Sequence, residues 1–333
     1  MKNKAAALLL LLAFAAGAPA GAQTPAPQDA PGLEEAGRLN AEVVRLYAAG
    51  RYAEALPAAA RVVELREKGL GAAHPSVGSA LVNLAAVESG LGKTDEARGH
   101  YRRAADLLEK AGDDYARTLV GAVEGLARLE KDINGAVELH KRALALKEKA
   151  YGPESFQAAL THFNLGHFGQ LRRNYDEAER HFRRFVEIAE KAKGGAEDDL
   201  GVALTRLACL ERRKGRRGEA AAFEVRADEI FQSVAEKRLP LEGGFINGKA
   251  VSKPQPYYPE EAKRARAQGT VTVEILVGET GVVLSACAQK GDRHPSLKEV
   301  SEFAAYSARF TSTLVGGRPT KVRGTITYNF VLQ

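Results

Sequence analysis

The chain has 333 residues, a formal charge of +6 and a mean hydropathy of −0.27. That length suggests two domains, and the mild basic excess does not call for nucleic acid. Two cysteines exclude a disulfide-rich scaffold, and no segment beyond the first 20 residues is apolar enough to suggest a membrane span.

The N-terminus reads as an export signal. Lys2 and Lys4 precede an unbroken run of Ala, Leu, Phe and Gly over 5–18, and Ala20-Gly21-Ala22 supplies a cleavage box before Gln23. The run is short for a spanning helix, and Pro19 interrupts it. Residues 1–22 are therefore expected to be a signal peptide, with the mature chain in the periplasm. An uncleaved signal would instead leave it anchored in the inner membrane. Losing Lys2 and Lys4 lowers the formal charge from +6 to +4. Residues 23–33 form a flexible, Pro-containing lead-in.

From 34 to 237 the chain repeats. Gly50-Arg51-Tyr52-Ala53-Glu54-Ala55 returns around Ala97, Ala136, Ala178 and Ala220, at spacings of 42, 39, 42 and 42. A second marker, ending in Ala85, Ala127, Gly166 and Ala208, repeats at 42, 39 and 42. The three missing residues therefore fall between Ala127 and Ala136, at the turn Lys131-Asp132-Ile133-Asn134. Within one copy, Leu81, Leu84 and Ala85 and then Ala97, Tyr101, Ala104 and Leu108 lie at helical spacing. A period held over five copies predicts an α-solenoid of about five helix pairs.

Ala85, Ala97 and Ala104 occupy the small-residue positions of the tetratricopeptide repeat, which this segment resembles. Its longer period and Gly71-Ala72-Ala73-His74-Pro75 are similar to the kinesin-light-chain type. The resemblance implies a concave, partner-binding face lined by the first helix of each pair. Asn83, Glu88, His162, Asn164, His167 and Arg206 are candidates for that face, against the plainer reading of solvated positions. Arg212-Arg213-Lys214, with Arg216 and Arg217, forms a basic cluster, read as a solvated turn ahead of a contact for an acidic partner or an anionic membrane surface.

Residues 238–252 form a linker. Asn247-Gly248 between Phe245-Ile246 and Ala250-Val251 predicts a short hairpin with a type I′ turn. Residues 253–333 then change period. Val271, Val273, Ile275 and Val277 alternate with Thr270, Thr272 and Glu274 in a half-buried strand. Val282–Gln289 follows as a second strand, and Pro295–Ala308 as a helix with Leu297, Val300, Phe303 and Ala304 inward. The last strand sets Val322, Ile326, Tyr328 and Phe330 against Lys321, Arg323, Thr325 and Thr327. The fold class is α followed by α+β: a solenoid, then a small two-layer domain with a three-stranded antiparallel sheet.

The motifs Gln255-Pro256-Tyr257-Tyr258-Pro259, Gly281-Val282-Val283, Ala308-Arg309-Phe310, Gly317-Arg318-Pro319 and Thr325–Phe330 resemble the C-terminal domain of the TonB family. The resemblance implies that the last strand adds a strand from an extended peptide, helped by the segment before the first helix. Gln255, Tyr258, Lys321, Val322, Arg323, Thr325 and Thr327 are the peptide-binding candidates, although Tyr258 and Pro259 also serve simply to anchor a helix starting at Glu260. The implied partners are envelope proteins, including the periplasmic tail of an outer-membrane transporter. An inner-membrane-anchored energy transducer and a structural envelope scaffold are the alternatives.

Cys209 and Cys287 fall in different modules and are expected to be small apolar fillers rather than a bridge. No phosphate-binding loop, H-E-x-x-H or G-x-S-x-G motif is present, and His162 and His167 are five apart, off a shared helix face. No catalytic residue, metal site, cofactor, nucleic acid or small-molecule substrate is expected.

Overall fold

The computed structural model describes residues 32–192, 197–236, 245–246, 249–289, 294–315 and 317–332. The expected signal peptide and most of the expected lead-in lie outside the described residues. The chain divides into two compact units, 1–168 and 169–333.

Ten repeat helices fill 33–236 among the described residues, as five pairs. They are α1 (Leu33–Ala48) and α2 (Tyr52–Leu70), α3 (Pro75–Gly90) and α4 (Thr94–Lys110), α5 (Ala116–Leu129) and α6 (Ile133–Tyr151). α7 (Phe156–Leu171) and α8 (Tyr175–Lys191) come next, then α9 (Glu197–Arg213) and α10 (Arg217–Glu236). Four of the five turns within pairs share one closing bond, from the backbone N–H of Arg51, Lys93, Asn174 or Arg216 to the carbonyl five residues earlier. That bond needs a left-handed residue just before the donor. Gly50, Gly92 and Gly215 supply it with φ of 70°, 77° and 79°, and Arg173 adopts φ 60° in the fourth. The third turn is the short one. α5 stops at Leu129, Glu130 turns extended, and the Asp132 carboxylate caps α6 by accepting the Gly135 N–H at 2.7 Å.

The small residues act as expected. Ala85, Ala97 and Ala104 are fully buried, and Tyr101 fills the space beside them. Gly125 on α5 lies flat against the Tyr101 ring, where an added Cβ would come within 2.3 Å of a ring carbon.

The second unit holds the last repeats and the C-terminal domain. Its main sheet contains β3 (Gly269–Val277), β4 (Val283–Ala288) and β8 (Val322–Phe330), antiparallel and in the order β4-β3-β8. α11 (Glu260–Arg264) and α12 (Pro295–Tyr306) complete the expected domain. Val271, Val273 and Ile275 pack with Leu297, Val300, Ala304, Ile326, Tyr328 and Phe330. Phe303, expected inward, is 62% exposed. The buried face of α12 runs through 297, 300, 301, 304 and 305, and 303 falls on the opposite side of a 3.6-residue turn.

Among the described residues the two arms of the expected hairpin pair elsewhere rather than with each other. β1 (Phe245–Ile246) pairs with β6 (Thr313–Val315), and β2 (Ala250–Ser252) pairs with β5 (Arg309–Phe310). Each short strand finds a longer-range partner, because β6 is held in register by its own hairpin with β7 (Arg318–Thr320). Asn247-Gly248 lies outside the described residues.

Gly125→Val should lower unfolding stability by about 2 kcal/mol through overpacking against Tyr101. Gly99→Ala, mid-helix with nothing within 4 Å of the new Cβ, should raise it by roughly 0.5–1 kcal/mol. Urea titration followed by circular dichroism checks both signs.

Candidate interaction site

The order β4-β3-β8 leaves one side of β8 without a partner strand among the described residues. Which main-chain groups face that side follows from two contacts. Gln289 N–H donates to the Thr272 carbonyl at 2.8 Å, so Thr272 directs its peptide groups toward β4. Thr272 lies opposite Thr327. In an antiparallel ladder, opposed residues alternate between bonded and non-bonded pairs, so Thr327 turns away from β3. The Lys253 ammonium confirms the direction by donating to the Thr327 carbonyl at 3.4 Å. Arg323, Thr325, Thr327 and Asn329 therefore all present N–H and C=O groups to the open edge. Ile326 and Tyr328 bond to β3. Sequence alternation alone leaves this parity undetermined.

The segment before α11 runs beside that edge. Lys253 also stands 5.6 Å from the centre of the Tyr328 ring. Gln255 is exposed and Tyr257 is 66% exposed. Tyr258 is instead an anchor: its hydroxyl donates to the Ala267 carbonyl and its ring meets Phe330 edge-on at 5.5 Å. Pro259 precedes Glu260 at the start of α11. Lys321 and Val322 are half-buried at the entrance to β8, while Arg323, Thr325 and Thr327 are exposed.

On the outer sheet face, Leu276 of β3 and Ser285 and Cys287 of β4 are buried. Among the described residues no further repeat pair follows α9 and α10, and β4 packs against α9. Cys209 on α9 and Cys287 on β4 form a disulfide with Cα atoms 5.7 Å apart, correcting the expectation of two separate fillers. Sequence distance hid their proximity, since 78 residues separate them. Arg206, one turn earlier, donates from Nε and Nη2 to the Leu284 carbonyl at 3.1 and 2.6 Å, and to Gln170 at 3.1 Å. It is 5% exposed, and burial pulls its pKa down. Arg213 pairs with Glu302, whose carboxylate also accepts the Ala288 N–H at 2.8 Å. Burial pushes the Glu302 carboxyl up, against the opposing charge of Arg213. Arg212 reaches Glu274 at 3.0 Å, Arg173 reaches Glu299 at 2.9 Å, and Arg323 reaches Asp228 on α10 at 2.7 Å.

The basic cluster thus has acidic partners within its own unit. Arg212 and Arg213 tie α9 to the C-terminal domain, while Lys214 and Arg216 bind Glu179. Burial raises the Glu179 pKa, but hydrogen bonds from Lys214 and Arg183 outweigh it and hold the carboxyl at about 2.

The repeat-face candidates scatter. Asn83 is buried and donates to Asn40 at 2.8 Å; Glu88 is buried against His100 at 2.7 Å. His162 is 8% exposed. Arg206 is consumed by the docking just described. Only Asn164 and His167 come together, on a cavity of about 470 Å³ beside His140, Phe168 and the short third turn.

Residues 254–332 match the family model described as Gram-negative bacterial TonB protein C-terminal. The chain carries a TonB-type C-terminal segment behind tetratricopeptide repeats. The tetratricopeptide model covers 44–110. Among solved structures, a putative kinesin light chain from Podosopora anserina with nearly identical TPR-like repeats is 19% identical. That similarity spans 62% of this chain and 98% of that one, with a TM-score of 0.50. The apo form of RapI is 17% identical over 61% of this chain and 72% of its own, with a TM-score of 0.52. At these identities the likeness is one of fold. No curated protein matches the chain. Both matched families are non-catalytic interaction modules, the C-terminal one from the Gram-negative envelope, and no enzyme family is indicated. Among the described residues no helix is long and apolar enough to cross a membrane.

Replacing Cys209 and Cys287 by Ala removes a 78-residue loop closure from the unfolded chain. The chain-entropy relation gives roughly 4 kcal/mol for a loop of that size. The double variant should lose up to that much in the second unit and leave α1–α6 unchanged. Hydrogen exchange read by mass spectrometry on peptides of each unit checks this.

Proposed function

We propose that this chain is an exported periplasmic adaptor. Its repeats recruit one protein, and the open edge of β8 takes up an extended peptide from a second envelope protein by strand addition. The tail of an outer-membrane transporter is one such peptide. The observation that carries the reading is the parity of β8: four successive odd-numbered residues turn their main-chain groups away from β3 along a strand in a TonB-type segment. Main-chain pairing supplies affinity in such a mode, and alternate side chains supply selectivity. The exposed Gln255 lies on the segment beside the edge and suits a side-chain contact to the incoming strand. Lys253 guards the edge in the meantime, because its ammonium occupies the Thr327 carbonyl that an incoming strand would use.

The test is capture of envelope proteins from periplasmic and outer-membrane extract by the chain from Gln23 onward. Thr325→Pro and Thr327→Pro each remove an outward N–H and should abolish capture by the C-terminal domain. Thr325→Ala keeps the main chain and should bind as wild type. Gln255→Ala should weaken binding by about 1 kcal/mol, the loss of one neutral hydrogen bond. If both proline variants fold and still retain every captured protein, strand addition is wrong.

A further inference from the structure

We propose that the last helix pair of the repeats forms one wall of the peptide site, and that it selects a strand carrying a lysine or arginine beside Thr325. This inference rests on strand addition at β8 and names the class of partner.

Parity defines where the incoming side chains go. Thr325 is exposed on the face away from α12, on the side occupied by α9 and α10, whereas Ile326 points into the α12 core. A residue set opposite Thr325 in an added strand places its side chain on that same outer face, one strand spacing of about 4.8 Å away. A cavity of about 400 Å³ lies there, reaching from Thr325 and Arg323 on β8 to Cys287 and bounded by Arg212, Glu224 and Asp228. Its wall cannot swing aside freely, because the Cys209–Cys287 disulfide and the Arg206–Leu284 bonds fix α9 to the sheet.

Charge decides what the cavity accepts. Three carboxylates line it, Glu224, Asp228 and Glu274, against two guanidiniums, Arg212 and Arg323. Both guanidiniums are already engaged: Arg323 with Asp228, and Arg212 with Glu274 and Glu224. Glu224 keeps capacity in reserve. Its Oε1 is 3.1 Å from Arg212 Nη1, yet the contact is misaligned and that buried oxygen has no hydrogen bond. An incoming ammonium or guanidinium closes the charge balance of this lining. An incoming carboxylate adds a fourth negative group. The opposite face of the edge has the reverse preference, since Lys253 stands there over the Tyr328 ring. The basic residue is therefore specified on one parity of the peptide only.

The experiment is panning of a displayed random decapeptide library on the disulfide-intact chain from Gln23 onward. Enriched peptides are then measured by fluorescence anisotropy as Lys, Ala and Glu versions at the selected position. The expected result is enrichment of Lys or Arg on one parity, with the Lys peptide binding about tenfold more tightly than its Ala version, as for a charge-assisted hydrogen bond. Glu224→Gln with Asp228→Asn changes the cavity from net −1 to net +1, and should shift the preference from Lys to Glu. Circular dichroism melts confirm that the double variant is folded. Peptides that lose binding to Thr327→Pro but show no basic preference would overturn the cavity assignment and leave strand addition standing. A Lys preference unchanged in the folded double variant would also overturn it. No enrichment at all would remove both readings.

Discussion

The clasp between α9 and β4 is the constraint on which the second unit depends. A sheet of three strands with one helix across it has two faces, and only one is covered by α12. The other carries Leu276, Ser285 and Cys287, each buried by more than nine-tenths. Burying that face without a second helical layer inside the domain requires another element, and α9 supplies it. The disulfide fixes the two surfaces together, and Arg206 satisfies a carbonyl that the strand ladder leaves over. A buried guanidinium with neutral acceptors loses hydration, so its several hydrogen bonds and the rings of Phe182 and Tyr306 nearby are what make the position tolerable.

That clasp changes the meaning of the modular sequence. Repeats and a TonB-type segment separated by a Pro/Gly linker suggest two independent bodies. The compact units divide instead within α7, at Phe168/Gly169, so the last repeats belong with the C-terminal domain. The ion pairs Arg212–Glu274, Arg213–Glu302 and Arg323–Asp228 add specificity of docking more than stability. Exposed pairs contribute little, and half-buried ones repay their desolvation only when well bonded, as Glu302 is.

Much of the local structure was legible in the residues. The 42-residue period located five helix pairs, because a helix pair must repeat its small and large positions to stack. The three-residue deletion located the one turn with different geometry. Alternation from Thr270 to Val277 located β3. What was not legible depends on long-range contact. Phe245-Ile246 and Ala250-Val251 have hairpin chemistry, but β6 and β5, far along the chain, compete for them. Arg206 and Asn83 look like surface polar residues on a repeat helix, and both are buried with partners that no spacing rule reveals. Cys209 and Cys287 carried the one usable hint of docking: the sequence holds two cysteines only.

The central claim is that the odd-numbered residues of β8 hold their main-chain groups open. Amide hydrogen exchange by NMR on the free chain tests it residue by residue. Fast exchange is expected at Thr325 and Thr327 and slow exchange at Ile326 and Tyr328, with a bound peptide slowing the first pair. Slow exchange at Thr325 and Thr327 in the free chain, or the opposite parity, would contradict it.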